Sequence, residues 1–196
     1  MKKHWGYGLI GWLPLCWVRG SRVERKDGMT LQIRNQEQLR DILIRNWMTH
    51  DALWYSEVAK RLGMKEASPM NLRVSRELGR IECRRLMKEF NTTFPKNMAQ
   101  YVKLFDFVMG VFVPNFMKWE IDYPGDNIQV FRISECFAHR GMQKAGLIAD
   151  YECGIFERIE GWFDAMRLKY TRRPNLGRCL KYKGVDCIIT VEFYFD

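Results

Sequence analysis

The segment Cys179-Leu-Lys-Tyr-Lys-Gly-Val-Asp-Cys187, running on into Ile-Ile-Thr-Val-Glu-Phe-Tyr-Phe195, decides how the fold is read. Lys183-Gly184 has the chemistry of a tight turn, because glycine takes the positive φ that short hairpin loops need. Strands are therefore expected at Arg178–Tyr182 and Cys187–Phe195, paired across that turn. Upstream, Met166–Thr171 reads as another strand. Gly154–Ala165 reads as a helix with Ile155, Ile159, Trp162 and Phe163 on one side, and Cys136–Ala145 as a short helix closed by Gly146. Four of the six cysteines, Cys136, Cys153, Cys179 and Cys187, fall inside this C-terminal run.

Further toward the N-terminus, Met117-Lys-Trp-Glu-Ile-Asp-Tyr123 alternates as a strand, Pro124-Gly-Asp-Asn127 turns, and Ile128–Ile133 returns. Three helices precede this hairpin. Gln36–Leu62 repeats Leu39, Leu43, Trp47, Trp54, Val58 and Leu62 at three- and four-residue steps and is closed by Gly63. Asn71–Phe90 follows Ser68-Pro69, a cap and first-turn signal, with Leu72, Leu78, Leu86 and Phe90 as its apolar stripe. Asn97–Val111 is strongly apolar and stops near Pro114. The expected architecture is α+β: N-terminal helices over 29–115 packed on an antiparallel sheet with a helical insert over 116–196, forming one compact domain.

The chain has 196 residues, of which 47% are hydrophobic, enough for one substantial core. Its net charge of +9 invites an anionic partner, but the cations lie in scattered clusters and fit a solvated basic surface equally well. Six cysteines spread along the whole length do not resemble the dense disulfide framework of a small secreted domain. A reducing cytoplasm with free thiols is the expectation. Residues 1–28 differ from the rest. A basic start and a Trp- and Gly-rich run interrupted by Pro14 match neither a signal peptide nor a bilayer span, and the favoured reading makes Met29 the start.

Three groups of residues carry chemistry. Cys179 and Cys187 face each other across the expected hairpin, and Cys153 at a helix start can add a third sulfur, which suits tetrahedral zinc. Cys136, His139, Asp150, Glu152 and Asp186 are all eligible as the fourth ligand, and the alternative is that the cysteines are small buried hydrophobes. His50 and Glu82 both fall on apolar stripes of neighbouring helices. There they form either a general base with its orienting carboxylate or a buried structural pair. Ser56–Arg80 echoes a helix-turn-helix, with Ala59 and Gly63 at the turn and Arg73, Arg76 and Arg80 beyond, although Pro69 sits where a recognition helix should run.

The residues Cys153, Cys179 and Cys187 resemble the cysteine pattern of the 4-vinyl-reductase domain, an α+β small-molecule-binding module. The resemblance implies that these three bind zinc; the family's fourth ligand, a glutamate, falls on Leu176 here. Cys136, Gly146, Cys153, Gly184 and Cys187 are similar to the pattern of 2-amino-thiazoline-4-carboxylate hydrolases, whose Glu-Arg pair is replaced by Asn175-Leu176. Over roughly residues 38–196 the chain also resembles an uncharacterised prokaryotic domain-of-unknown-function family. That match rests on His50-Asp51-Ala-Leu-Trp54-Tyr55, on Glu82 and Arg85, and on the Cys136, Arg140, Gly146, Asp150, Cys153 series.

Together these point to a cytoplasmic small-molecule-binding protein with a zinc site at Cys153, Cys179 and Cys187, acting as a hydrolase of a small cyclic or amide substrate. His50, Glu82 and Cys136 are its candidate catalytic residues, and Asp51, Trp54, Arg85 and Arg140 its candidate ligand contacts. A non-enzymatic ligand sensor or homodimeric scaffold is the alternative. DNA binding ranks third, so nucleic acid is disfavoured as a partner, and no membrane association is expected.

Overall fold

The structure, a computed structural model, describes residues 35–195 and the short strands β1 (Val23–Glu24) and β2 (Thr30–Leu31). The chain divides into two compact units, Met1–Leu39 and Arg40–Asp196. In the first, β1 and β2 pair antiparallel, with Val23 opposite Leu31. Expectations for the rest of residues 1–28 lie outside the described residues.

The second unit is α+β. Helices α1 (Gln36–Leu62, whose first turn belongs to the first unit), α2 (Met64–Glu89) and α3 (Met98–Phe112) come first. The hairpin β3 (Lys118–Gly125) and β4 (Ile128–Glu135) follows. Helix α4 (Phe137–Lys144), a 3-10 turn at Ile148–Asp150 and α5 (Gly154–Ala165) form the helical insert, before β5 (Lys169–Arg173) and β6 (Ile188–Tyr194). The four-stranded antiparallel sheet has the order β3-β4-β6-β5. Its inner face presents Phe131, Ile189, Val191 and Phe193 to Tyr101 and Phe105 of α3 and to Phe156, Trp162 and Phe163 of α5, all essentially inaccessible to water. Aromatic edges meet faces throughout this core, as with Phe131 on Phe156 at 5.0 Å and Phe163 on Phe193 at 5.2 Å.

Three expectations need correction. Helix α2 begins at Met64, seven residues before the expected Asn71, and contains Pro69. Gly63 lies at φ 80, taking the left-handed turn that closes α1 and opens α2, and the Ala67 N–H donates to its carbonyl at 3.0 Å. Pro69 is the sixth residue of α2, past the first turn, and it removes the backbone hydrogen bond that its position would give to the Lys65 carbonyl. Secondly, Arg178–Tyr182 is not a strand. The Cys179 carbonyl accepts from Lys183 N–H, and Leu180 from Val185, so the segment coils before β6. Thirdly, most of the stripe assigned to the core side of α1 faces outward: Leu43 is 58% exposed, Trp54 63% and Leu62 55%, while Val58 and one face of Trp47 pack inward. Large apolar side chains occur nearly all round α1, so periodicity selects no face, and the helix buries Met48, Tyr55 and Ala59 instead.

Helices α2 and α5 cross at Gly79 and Gly161. A Cβ on Gly79 would meet the Arg158 carbonyl oxygen at 2.0 Å, and one on Gly161 would meet that of Arg76 at 2.1 Å. Beside this crossing Arg76 binds Asp164 through Nε at 2.8 Å and Nη2 at 2.9 Å and Glu160 at 2.6 Å, while Arg80 reaches Asp164 at 2.7 Å. Two of the three arginines read as DNA contacts are therefore engaged in ion pairs with α5. Burial pushes the Asp164 carboxyl upward, but hydrogen bonds from Arg76 and Arg80 outweigh it and hold the group below its ordinary value.

Gly161→Ala should cost about 1–3 kcal/mol in urea denaturation, because neither backbone can retreat without opening the core. Asp164 is depressed in the folded state, so its contribution is full above about pH 4 and is lost as pH falls through the folded value. The stability gap between wild type and Asp164→Asn should therefore be constant at neutral pH and shrink in acid, as read by denaturation at several pH values.

Candidate functional site

Two short backbone links bring the C-terminal cysteines together. The bridge between Glu152 and Arg178 is flanked by hydrogen bonds from Cys153 N–H to the Gly177 carbonyl and from Cys179 N–H to the Tyr151 carbonyl, both 3.1 Å. Ile133 N–H donates to the Cys187 carbonyl at 3.0 Å, extending the β4–β6 ladder toward Cys136 at the end of β4. As a result Cys136, His139, Cys153, Cys179 and Cys187 all line one enclosed cavity of about 20 Å³. The expected hairpin is absent, yet both of its cysteines arrive at one point. His139 Nδ1 lies 3.6 Å from Cys179 Sγ.

Cys136 and Cys153 are the N-cap residues of α4 and α5. Desolvation pushes the Cys136 thiol up, opposed by the backbone N–H groups of His139 and Ala138. Burial carries Cys153 to about 12, against the Phe156 N–H, and Cys187 to about 11; the neighbouring sulfurs add to both. Without a cation these thiols stay protonated at neutral pH and are poor nucleophiles. Among the described residues no group of three or more His, Cys, Asp or Glu side chains is spaced to hold a metal ion as the chain stands.

On the other side of Ala138, Tyr151 and Ile155 lies a second cavity of about 80 Å³ between α1, α2, α4 and α5. Asp51, Asn71, Ser75 and Arg158 supply its polar atoms, and Met48, Phe137 and Met142 part of its apolar wall. Loss of hydration raises the Asp51 carboxyl, although Arg158 and His50 oppose the rise. Met48, Ala52, Phe137, Gly141 and Met142 line both this cavity and a neighbouring groove of about 500 Å³ between α1 and α4. Cluster, inner cavity and groove form one series, with Tyr151 standing between the first and second. The Tyr151 ring packs edge-on against Tyr55 at 6.1 Å, and its hydroxyl accepts from Gly154 N–H at 3.2 Å.

The three residues read as catalytic do not meet. Glu82 is 6% exposed and takes Arg158 Nε at 2.8 Å, Arg158 Nη2 at 2.6 Å and Trp162 Nε1 at 3.1 Å, which fixes its charge in a structural pair. His50 points outward, where Trp54 Nε1 donates to its Nε2 at 3.2 Å. Cys136 belongs to the thiol cluster. Of the residues read as ligand contacts, Asp51 lines the inner cavity and Arg140 the groove. Trp54 lies with His50 in a separate surface groove, and Arg85 is exposed and lines neither cavity of the cleft. Sequence reasoning missed Arg158, whose signal was a lone cation within the apolar run of α5, and it missed Arg45, Asn71, Ser75 and Lys144, which carry no local signal.

Glu82→Gln should lower stability by roughly 3–5 kcal/mol, because Arg158 is left buried and unpaired, whereas His50→Ala should change it by less than about 0.5 kcal/mol. Urea denaturation of the two variants checks this.

No described helix is long and apolar enough to cross a membrane. No curated protein and no solved structure matches the chain. A family profile matches residues 31–166, most of the helical part and both helices of the insert, and its description is a family of unknown function (DUF6125). The chain belongs to that family.

Proposed function

We propose that this protein is a small-molecule-binding module whose cleft is backed by a zinc–thiolate centre, with Cys153, Cys179 and Cys187 as sulfur ligands and His139 as the fourth. The observation that carries the reading is the 3.6 Å separation of Cys179 Sγ and His139 Nδ1. Zn–S bonds of about 2.3 Å and Zn–N bonds of about 2.0–2.1 Å at a tetrahedral angle put sulfur and nitrogen about 3.6 Å apart. The donor chemistry agrees. Closing the remaining sulfurs onto that point needs side-chain rotation within a cavity of about 20 Å³. The Phe156 backbone N–H in the first turn of α5 faces the Cys153 sulfur and would stabilise it as a thiolate. Cys136, similarly capped, is the reserve sulfur or a hydrogen-bonded neighbour of the site. The three sulfurs are those the 4-vinyl-reductase resemblance implied; the family's glutamate falls on Leu176 here, and His139 takes its role from a different place in the chain.

Tyr151, Ala138 and Ile155 separate the cluster from the cleft, so a metal there would be closed and structural, holding α4 and α5 to the coil before β6. With His50, Glu82 and Cys136 far apart in role, binding is favoured over turnover, and the sensor reading over the hydrolase. The contact between Cys179 and His139 supports one competing reading, a thiol activated by its imidazole neighbour.

Metal analysis of protein purified under reducing conditions tests both. About one zinc per chain is expected, lost in Cys179→Ser, with chelation lowering Tm by roughly 5–15 °C for 2–4 kcal/mol of lost stabilisation. Metal-free protein whose Cys179 alkylates faster than Cys136 and Cys153 would overturn the zinc reading in favour of the nucleophile.

A further inference from the structure

The groove between α1 and α4 has a charge pattern that selects its occupant. Arg45, Arg140 and Lys144 line it, and among the described residues no carboxylate does. Among the described residues no acid pairs with Arg45 or Lys144; the Arg45 guanidinium lies over the Phe116 ring at 4.2 Å, which holds it flat at the groove wall. Arg140 reaches Glu135 only at 3.6 Å, and Glu135 is bonded to Lys118, whose hydrogen bond holds that carboxyl below its ordinary value. Three cations thus stand around a mouth floored by Met48, Leu53, Phe116, Phe137 and Met142. At the inner end the balance reverses: Arg158 is neutralised by Glu82, and Asp51 remains.

We propose that the cleft takes an amphipathic organic anion: a compact apolar or aromatic body bearing one carboxylate, or a comparable acid group, held at the mouth by Arg45, Arg140 and Lys144. The proposal rests on the small-molecule-binding reading above and names the ligand class for the same cleft. Asp51 fixes the orientation. Its carboxylate repels an anion from the inner end, so the acid group stays at the mouth while the body lies in the groove along Phe137 and Met142, which line both spaces, with only its tip directed at the inner cavity. An N–H or O–H group at the far end of the ligand would then find an acceptor in Asp51 and partners in Asn71 and Ser75. Guanidinium groups suit this role because they hold a planar acid group through paired hydrogen bonds. Gly141 leaves the space open, since a Cβ added there meets nothing within 4 Å.

Calorimetric titration with 2-naphthoate and with 2-naphthylmethylammonium, probes of one shape and opposite charge, tests the assignment. Three proteins are compared: wild type, Arg45→Gln/Arg140→Gln/Lys144→Gln, and Gly141→Leu. Circular dichroism confirms that each is folded. The naphthoate should bind wild type at least tenfold more tightly than the ammonium, more weakly as salt rises. The triple variant should lose at least tenfold of that affinity, and Gly141→Leu should lose binding by filling the cleft. Equal affinity for both probes, or an unchanged triple variant, overturns the anion assignment while Gly141-dependent binding keeps the small-molecule reading. Naphthoate binding that survives Gly141→Leu places the ligand elsewhere and overturns the proposal. Binding of neither probe overturns both the ligand class and the cleft's role.

Discussion

The close crossing of α2 over α5 at Gly79 and Gly161 is the constraint on which the rest of the structure depends. Each glycine sits against a backbone carbonyl of the opposite helix, at a separation that no side chain allows. That approach puts Arg158 within reach of Glu82 and lets Arg76 and Arg80 converge on Asp164. A buried ion pair contributes little net stability by itself, but its geometry is unforgiving, so it fixes the rotation of α5 about its axis. The rotation of α5 in turn sends Phe156, Trp162 and Phe163 into the sheet and leaves Cys153 and Ile155 at the far end, where cleft and cluster meet.

Tyr151 touches both of those sites. Its carbonyl accepts from Cys179, its hydroxyl accepts from the first N–H of α5, and its ring closes the inner cavity. Anything that tightens Cys179 toward Cys153 therefore also holds the wall against which a ligand would rest. Helix α4 serves three surfaces at once: His139 faces the cluster, Phe137 and Met142 the inner cavity, and Arg140 and Lys144 the groove. Eight residues of helix carry all of this because successive side chains turn by about 100°.

Where sequence and structure agree, one local pattern sufficed. Helix α5, the β3–β4 hairpin and the last strand announced themselves through period and punctuation, helix α1 through its length and the closing Gly63, and the α+β order followed. The failures have separate causes. Gly184 does take positive φ, at 73°, but the residues before it coil instead of pairing, because the partner of that segment is Glu152, far away in sequence. His50 reads as inward because α1 is apolar on most sides; only packing against α2 and α4 decides which side is buried. Glu82 was correctly read as inward, but its partner Arg158 stands 76 positions away and no spacing rule links them. The cysteine cluster was legible in its members, and His139 was one of several eligible neighbours. The groove was not legible, because Arg45 and Lys144 look like ordinary surface cations until α1 and α4 are set side by side.

X-ray absorption at the zinc K-edge of the purified protein is the most direct measurement of the central claim, that the cysteine cluster is a zinc–thiolate centre completed by His139. A first shell of about three sulfurs near 2.3 Å and one nitrogen near 2.0–2.1 Å, with the nitrogen replaced in His139→Cys, is the result this account predicts. A shell of oxygen and nitrogen alone, or one with four sulfurs that is indifferent to His139, would contradict it.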